Sequence, residues 1–132
     1  AYARKRPPSV MAAASQEAKA YDLVAQAEKK LKSWLNLSGN KYDDAAELYS
    51  KAANLFKVAK NWSEAGKCFE QVAQMHLKLK SAHEAATAYS DAANCYKKTD
   101  TSHAVLLYKE AVVRARPPTH PRSRTRVRLG DA

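Results

Sequence analysis

Small, apolar and aromatic residues recur along the middle of the chain in a pattern that repeats about every 20 residues. Each copy starts with an alanine, has an aromatic residue four positions later, and has alanine or valine after four more. The copies start at Ala45, Ala65, Ala85 and Ala104. Offsets of four and eight residues place side chains on one face of an α-helix. The repeat therefore predicts a series of similar helices, each with an apolar face to bury.

Five helices are predicted, over about residues 16–34, 42–59, 62–79, 82–98 and 102–115. The first lies before the repeat and carries a similar stripe, formed by Ala20, Val24, Ala27, Leu31 and Trp34. The spacing of Asn61 with Glu64, and of Ser81 with Glu84, is that of a capping box at a helix start. Thr101 lies on the same 20-residue grid without an acidic partner.

The short connections between these helices predict antiparallel packing of neighbours. Alanine beside an aromatic residue lets two helices approach closely while the ring fills a groove. We therefore assign an all-α fold, a right-handed α-solenoid of antiparallel helix pairs of the tetratricopeptide-like kind. Its helix-pair period is 40 residues, longer than the 34 of the standard tetratricopeptide repeat. The fifth helix has no polar capping face, so the predicted array of about five helices is truncated.

The 132 residues carry a formal net charge of +10, which by itself suggests an anionic partner. The distribution of the charge weakens that interpretation. Residues 11–113 hold 14 Lys and no Arg against 12 acidic residues, so the two ends supply eight of the ten charges. All five prolines also lie in the ends. We predict a disordered basic extension over 1–15, a helical domain over 16–115 and a disordered Arg/Pro-rich tail over 116–132.

The composition of the two ends suggests that they have a different origin from the helical domain. Met11 reads as the start of translation, and we expect residues 1–10 to be upstream sequence. We expect the tail after Val113 to come from a frameshift, a retained intron or a gene-prediction artefact. The alternative is a basic arm that binds RNA or anionic lipid, which would make the chain a nucleic-acid binder.

Enzymatic and metal chemistry find no support in the sequence. The three glycines are isolated, so no phosphate-binding glycine loop is present, and the four histidines lack ligand spacing. Cys68 and Cys95 lie 27 residues apart, and we expect them to be reduced thiols in helix interfaces. We predict no enzymatic activity, no cofactor and no metal site. No apolar run is long enough to span a bilayer.

The amino-acid sequence of the helices resembles that of the soluble NSF attachment proteins of the alpha/beta type. NSF is the N-ethylmaleimide-sensitive fusion ATPase. The most specific piece is Lys57-Val58-Ala59-Lys60-Asn61-Trp62 at a helix junction. Further similar stretches are Ala25–Leu31, Ala52–Phe56, His83–Ala86 and Tyr96–Asp100. The resemblance covers roughly residues 17–113.

The resemblance implies an adaptor in vesicle fusion that binds the SNARE complex (a syntaxin-type acidic bundle), contacts the membrane and recruits the NSF ATPase. Such a protein is cytoplasmic and peripheral on the cytosolic face of endomembranes. In the family the ATPase is engaged mainly by a C-terminal part that these residues do not include. We therefore expect this stretch to bind SNAREs without driving their disassembly. The alternative is a general tetratricopeptide-like scaffold for an unrelated peptide ligand.

By resemblance, the basic face that meets the SNARE bundle maps to Lys57, Lys97, Lys98 and Lys109. The alternative for a lysine in the last turn of a helix is that it only complements the helix dipole. The loop after the first helix is the family's membrane contact, here Trp34, Leu35 and Leu37. Trp34 also continues the stripe of the first helix, so a core position is its alternative.

Overall fold

Five α-helices form the described part of the chain in this computed structural model, which describes residues 8–33 and 41–116. They are α1 (Pro8–Lys32), α2 (Lys41–Val58), α3 (Trp62–Lys78), α4 (Ala82–Tyr96) and α5 (Thr101–Ala115). Each helix packs mainly on its neighbours in sequence, and the short connections make consecutive helices antiparallel. The predicted all-α, tetratricopeptide-like solenoid is confirmed. None of the five helices is long and apolar enough to cross a membrane.

Helix α1 begins at Pro8, eight residues before the predicted start. Residues 8–15 were assigned to a disordered extension, and that prediction is wrong for them. Proline suits the first position of a helix, and the alanines at 12–14 are strong helix formers. The remaining parts of the two predicted disordered segments, residues 1–7 and 117–132, lie outside the described residues.

The repeat positions form the core of the first three copies. All of the following are buried: Ala45, Tyr49, Ala53, Ala65, Phe69, Ala73, Ala85, Tyr89 and Ala93. In the fourth copy Ala104 is buried, but Tyr108 is only partly buried and Val112 is 62% exposed. The difference arises because α2, α3 and α4 are each covered by a following helix, whereas no described element follows α5.

The predicted stripe of α1 faces the same core. Ala20 and Ala27 are fully buried, while Val24 and Leu31 pack against the core and are partly exposed. Trp34, the last member of the stripe, lies outside the described residues. The four described members therefore confirm that α1 packs on α2 through this face.

Asn61 and Ser81 are the N-cap residues of α3 and α4 as predicted, but neither forms a full capping box, because their amides donate to the Phe56 and His76 carbonyls. Asn61 Oδ1 accepts a hydrogen bond from the Glu64 amide at 3.3 Å. Ser81 has nearly the same backbone conformation, but its hydroxyl makes no capping hydrogen bond. Helix α5 is capped by Asp100, one residue before Thr101, through a 3.1 Å bond from the His103 amide.

Two of the turns place a lysine in the left-handed backbone region, Lys60 with φ of 64° and Lys80 with φ of 62°. At the first, the Asn61 amide donates to the Phe56 carbonyl at 2.8 Å and the Lys60 amide to the Lys57 carbonyl at 3.0 Å. This is the Schellman pattern, in which glycine normally occupies the left-handed position. The turn after α3 has the same two bonds, so both lysines hold a conformation that costs free energy.

Replacing Lys60 by glycine is expected to raise the free energy of unfolding by about 0.5–1 kcal/mol, because glycine adopts positive φ without a Cβ clash. The same replacement at Lys97, where φ is −54°, is expected to lower it, since glycine there only adds unfolded-state entropy. Urea unfolding of both variants measures the difference. Equal and destabilising effects would contradict the strain at Lys60.

The two cysteines are free and buried, which confirms the expectation of thiols in helix interfaces. Burial raises the pKa of Cys68 to about 12, and the nearby Glu64 carboxylate adds to the rise. Burial also raises the pKa of Cys95. Both thiols are therefore protonated at neutral pH, and neither has the thiolate character of a nucleophile.

Candidate functional site

Three of the predicted lysines lie at the end of the solenoid where α2 and α4 finish and α3 and α5 begin. We call this the Lys57/Lys98 edge, formed by the exposed Lys57, Lys60, Lys97 and Lys98. Because α2 and α4 run in the same direction, their ends lie at the same end of the solenoid. Lys57 and Lys60 therefore lie near Lys97 and Lys98, although about 40 positions separate the two pairs in sequence. The edge is the candidate binding site.

Two aromatic rings of α3 hold the two central ammonium groups. Lys98 Nζ lies 4.9 Å from the centroid of the Trp62 ring, and Lys57 Nζ lies 5.7 Å from that of Phe69. Cation–π contacts of this kind contribute about 0.5–1 kcal/mol at exposed sites. They narrow the range of conformations available to each lysine while leaving its charge exposed.

The two charges act on one buried thiol. Burial raises the pKa of Cys95, and the positive charges of Lys57 and Lys98 both oppose that rise. Lys57 also acts on Asp91. Burial raises the pKa of this carboxyl, and the positive charge of Lys57 reduces the rise. Both lysines therefore lie near the last turns of α4.

None of Lys57, Lys97 and Lys98 forms an ion pair within residues 8–33 and 41–116. The lysines that do so are Lys30, Lys51 and Lys67. Lys57 occupies the last turn of α2, so it also complements the helix dipole, and the two roles are compatible. The charges of the edge are available to an anionic partner.

Lys109 does not join this edge. It lies in the middle of α5, about 12 Å along the helix axis from the start of α5. There it lines a shallow groove of about 510 Å³ with Val105, Tyr108 and Val112. The resemblance grouped Lys109 with the other three lysines, and the structure separates it from them.

A groove runs along α3 between α2 and α4, and it is acidic. Two adjoining cavities of about 320 and 240 Å³ share Ser50, Val72 and His76. Their walls carry the carboxylates of Asp43, Glu47, Glu84 and Asp91.

His76 forms part of the floor of this groove. Its Nδ1 lies 3.5 Å from Glu84 Oε2, longer than a hydrogen bond, and has no hydrogen-bond partner among the described side chains. The groove is therefore a negative surface that leads to Lys57 at one end.

The predicted membrane-contact residues Trp34, Leu35 and Leu37 lie outside the described residues, so their assignment stays a prediction. Sequence inspection missed the aromatic partners Trp62 and Phe69. Trp62 was part of the most specific motif, but its contact with Lys98 joins residues 36 positions apart and left no signal in the local pattern. Within the described ranges, no group of three or more His, Cys, Asp or Glu is placed to hold a metal ion.

Comparison with known proteins agrees with the sequence resemblance. Residues 18–115 match the family described as soluble NSF attachment protein, SNAP. The alpha-soluble NSF attachment protein of Vitis vinifera is 54% identical over 44 residues, which are 33% of this chain and 15% of that protein. Its Homo sapiens counterpart is 47% identical over 60 residues, 41% of this chain and 20% of that protein.

A beta-soluble NSF attachment protein of Bos taurus is 47% identical over 62 residues, 42% of this chain and 21% of that protein. A probable vesicular-fusion protein sec17 homolog of Neurospora crassa is 49% identical over 55 residues, 36% of this chain and 18% of that protein. The chain spans about a fifth or less of the length of these relatives.

Proposed function

This chain belongs to the soluble NSF attachment protein family, and we propose from that membership that it is an adaptor, not an enzyme, in vesicle fusion. Its partner is the acidic helical bundle of an assembled SNARE complex. The Lys57/Lys98 edge is the contact surface for that bundle. The family match to residues 18–115 supports the general role.

The observation that carries the assignment of the surface is that Lys57 and Lys98, at the same end of the solenoid, each lie over an aromatic ring of α3. Their ammonium groups are fixed over Phe69 and Trp62 and make no ion pair in the described part of the chain. Charges held in this way attract an acidic partner at low ionic strength and lose less side-chain freedom on binding than mobile lysines. An anionic bundle is therefore a suitable ligand.

The acidic groove beside the edge contributes to orientation. An acidic partner is repelled by Asp43, Glu47, Glu84 and Asp91 and attracted by the lysines at the end of the groove. A docking geometry that sets the acidic bundle against these carboxylates is strongly repelled, whereas one that sets it against the lysines is weakened little. We infer that the bundle contacts the edge and not the groove.

Reversing both charges in a Lys57→Glu, Lys98→Glu variant is expected to weaken binding to an assembled SNARE bundle at least about tenfold, which is ~1.4 kcal/mol. The affinity of the unmodified chain is expected to fall as salt is raised, and that of the variant is expected to fall less. Fluorescence anisotropy with a labelled bundle at several salt concentrations measures both quantities.

The matched control is Lys51→Glu, Lys67→Glu, which makes the same change in net charge at two exposed lysines outside the Lys57/Lys98 edge. It is expected to bind within about threefold of the unmodified chain, through long-range attraction alone. Equal losses in the two double variants would show that net charge, and not the Lys57/Lys98 edge, governs binding. Circular dichroism establishes that each variant keeps its helices.

We assign the peripheral membrane contact to the loop with Trp34, Leu35 and Leu37 and place the protein on the cytosolic face of endomembranes. Attachment to NSF is the property named in its relatives. We extend to this chain the role of presenting SNAREs to that ATPase, and we assign the docking step to residues 41–116. Lys97 belongs to the same edge. Lys109 forms a separate contact with the part of the bundle that lies over α5.

A further inference from the structure

The end of the solenoid opposite the Lys57/Lys98 edge also collects lysines. Here α1 and α3 finish and α2 and α4 begin, and we call this end the loop edge. Its lysines are Lys29, Lys30, Lys32, Lys41, Lys78 and Lys80. Helix α2, with 18 residues, is about 27 Å long, so the two edges are separated by roughly that distance.

Two contacts join the lysines of three helices into one surface. Lys41 Nζ donates a hydrogen bond to the Leu31 carbonyl at 3.4 Å, which fixes the start of α2 against the end of α1. The ammonium groups of Lys41 and Lys78 lie 5.5 and 5.6 Å from the centroid of the same ring, that of Tyr42. Tyr42 therefore holds two positive charges from different helices beside each other.

The loop edge has more positive than negative charge. Its six lysines lie among four acidic side chains, those of Glu28, Asp43, Asp44 and Glu84. Asp44 pairs with Lys30 at 3.4 Å, and Glu84 faces His76. The other five lysines form no ion pair within the described ranges, and residues 33–40, which join α1 to α2, carry no charged side chain. The surface thus has uncompensated positive charge.

We propose that the loop edge binds anionic lipid headgroups, through Lys32, Lys41, Lys78 and Lys80. The proposal rests on the proposed membrane contact, because the residues assigned to that contact lie in sequence between Lys32 and Lys41, the last residue of α1 and the first of α2. A membrane touched by that loop therefore lies within reach of both lysines. One short apolar segment gives only weak, reversible membrane attachment, and stable attachment needs a second signal such as a basic patch.

The size of the expected effect follows from the surface potential of an anionic leaflet. Each lysine near such a surface changes the affinity about fivefold, and the effect decays within a Debye length. The Lys57/Lys98 edge, about 27 Å away, is outside that range at physiological salt. The loop edge can therefore bind lipid while the opposite edge remains open to a protein partner.

The test is cosedimentation of the 132-residue chain with vesicles of phosphatidylcholine alone and of phosphatidylcholine mixed with phosphatidylserine. The variant is Lys78→Gln, Lys80→Gln. The control is Lys60→Gln, Lys97→Gln, which removes the same charge at the opposite edge. Lys60 and Lys80 are a close match, because both have a φ near 60° in the same type of turn.

We expect the Lys78→Gln, Lys80→Gln variant to bind the mixed vesicles about 25-fold more weakly than the unmodified chain. The control is expected to stay within about twofold, and the weak binding to pure phosphatidylcholine is expected to be equal in all three. Equal losses in variant and control, or no preference for phosphatidylserine, would overturn the proposal. So would a variant that keeps its lipid affinity and loses affinity for the SNARE bundle, since the surface would then bind protein.

A Leu35→Ser, Leu37→Ser variant separates this proposal from the proposed loop contact. Loss of binding to both kinds of vesicle would support the apolar loop as the first signal. Unchanged binding to pure phosphatidylcholine, together with a lysine-dependent preference for phosphatidylserine, would contradict the loop contact and leave the lysine surface supported.

Discussion

Replacing Phe56 by alanine is expected to lower the free energy of unfolding by about 3–5 kcal/mol. Phe56 is fully buried and is the largest such side chain in the described residues. Its ring meets that of Tyr21 edge to face, with centroids 4.9 Å apart, and so ties α1 to α2. A small domain has a total stability of only about 5–15 kcal/mol, so this single cavity removes a large part of it.

Chemical denaturation monitored by circular dichroism measures the loss, and amide hydrogen exchange locates it. We expect the greatest loss of protection in α1, since α1 packs on the rest of the chain mainly through α2. The control is Val58→Ala, two residues further along α2, where the side chain is 65% exposed. A change of less than about 0.5 kcal/mol is expected there. Similar losses in both variants would contradict the central position of Phe56.

Replacing Gly66 by alanine is expected to destabilise the fold by about 1–2 kcal/mol, although alanine is the better helix former. A Cβ at Gly66 would lie 2.7–2.9 Å from three carbons of the Tyr96 ring. That ring has little room to move, since it packs edge to face on His103 at 4.5 Å and is 93% buried. Glycine is therefore required here by the close approach of α4, and not by the backbone conformation.

A double-mutant cycle tests this cause. In a Tyr96→Leu background, the flexible leucine can move away from the new methyl group, and Gly66→Ala is expected to become neutral or stabilising by up to about 1 kcal/mol. Thermal or urea unfolding of the four proteins gives the coupling energy. The same destabilisation in both backgrounds would show that Tyr96 is not the obstacle.

Tyr96 also takes part in a polar contact among three helices. Burial raises the pKa of Tyr96, and the neighbouring Glu70 carboxylate adds to the rise. Glu70 Oε1 in turn lies 3.2 Å from His103 Nε2 of α5. The ring that excludes a side chain at Gly66 is thus held by α3 and α5 together, which explains why it cannot give way cheaply.

The charged side chains of the described solenoid form three surfaces, two positive and one negative. Two edges carry lysines held over aromatic rings, and the groove over α3 carries carboxylates. A single basic face was expected from the family resemblance. The separation into two edges about 27 Å apart lets one molecule meet an acidic protein and an anionic surface at the same time.

The helices and their buried faces were predictable because both depend on neighbours within one or two turns. The spacing of Ala45, Tyr49 and Ala53 places them on one helix face wherever the helix packs. The errors fall where tertiary context overrides a local rule. Ser81 occupies the cap position, but its amide donates to the His76 carbonyl of α3 and its hydroxyl makes no capping bond. Val112 has a core position in the repeat, but no described helix covers it.

By itself, the sequence determined that the chain forms an all-α solenoid of antiparallel neighbours, since helical period, short turns and repeated alanines are local properties. Only the tertiary structure decided which lysines share an edge, because that depends on alternating helix direction. It also decided that Lys109 stands apart, that Tyr42 joins Lys41 to Lys78, and that Gly66 faces the Tyr96 ring. These contacts join residues about 30 or more positions apart, or set one helix surface against another, and no local pattern encodes them.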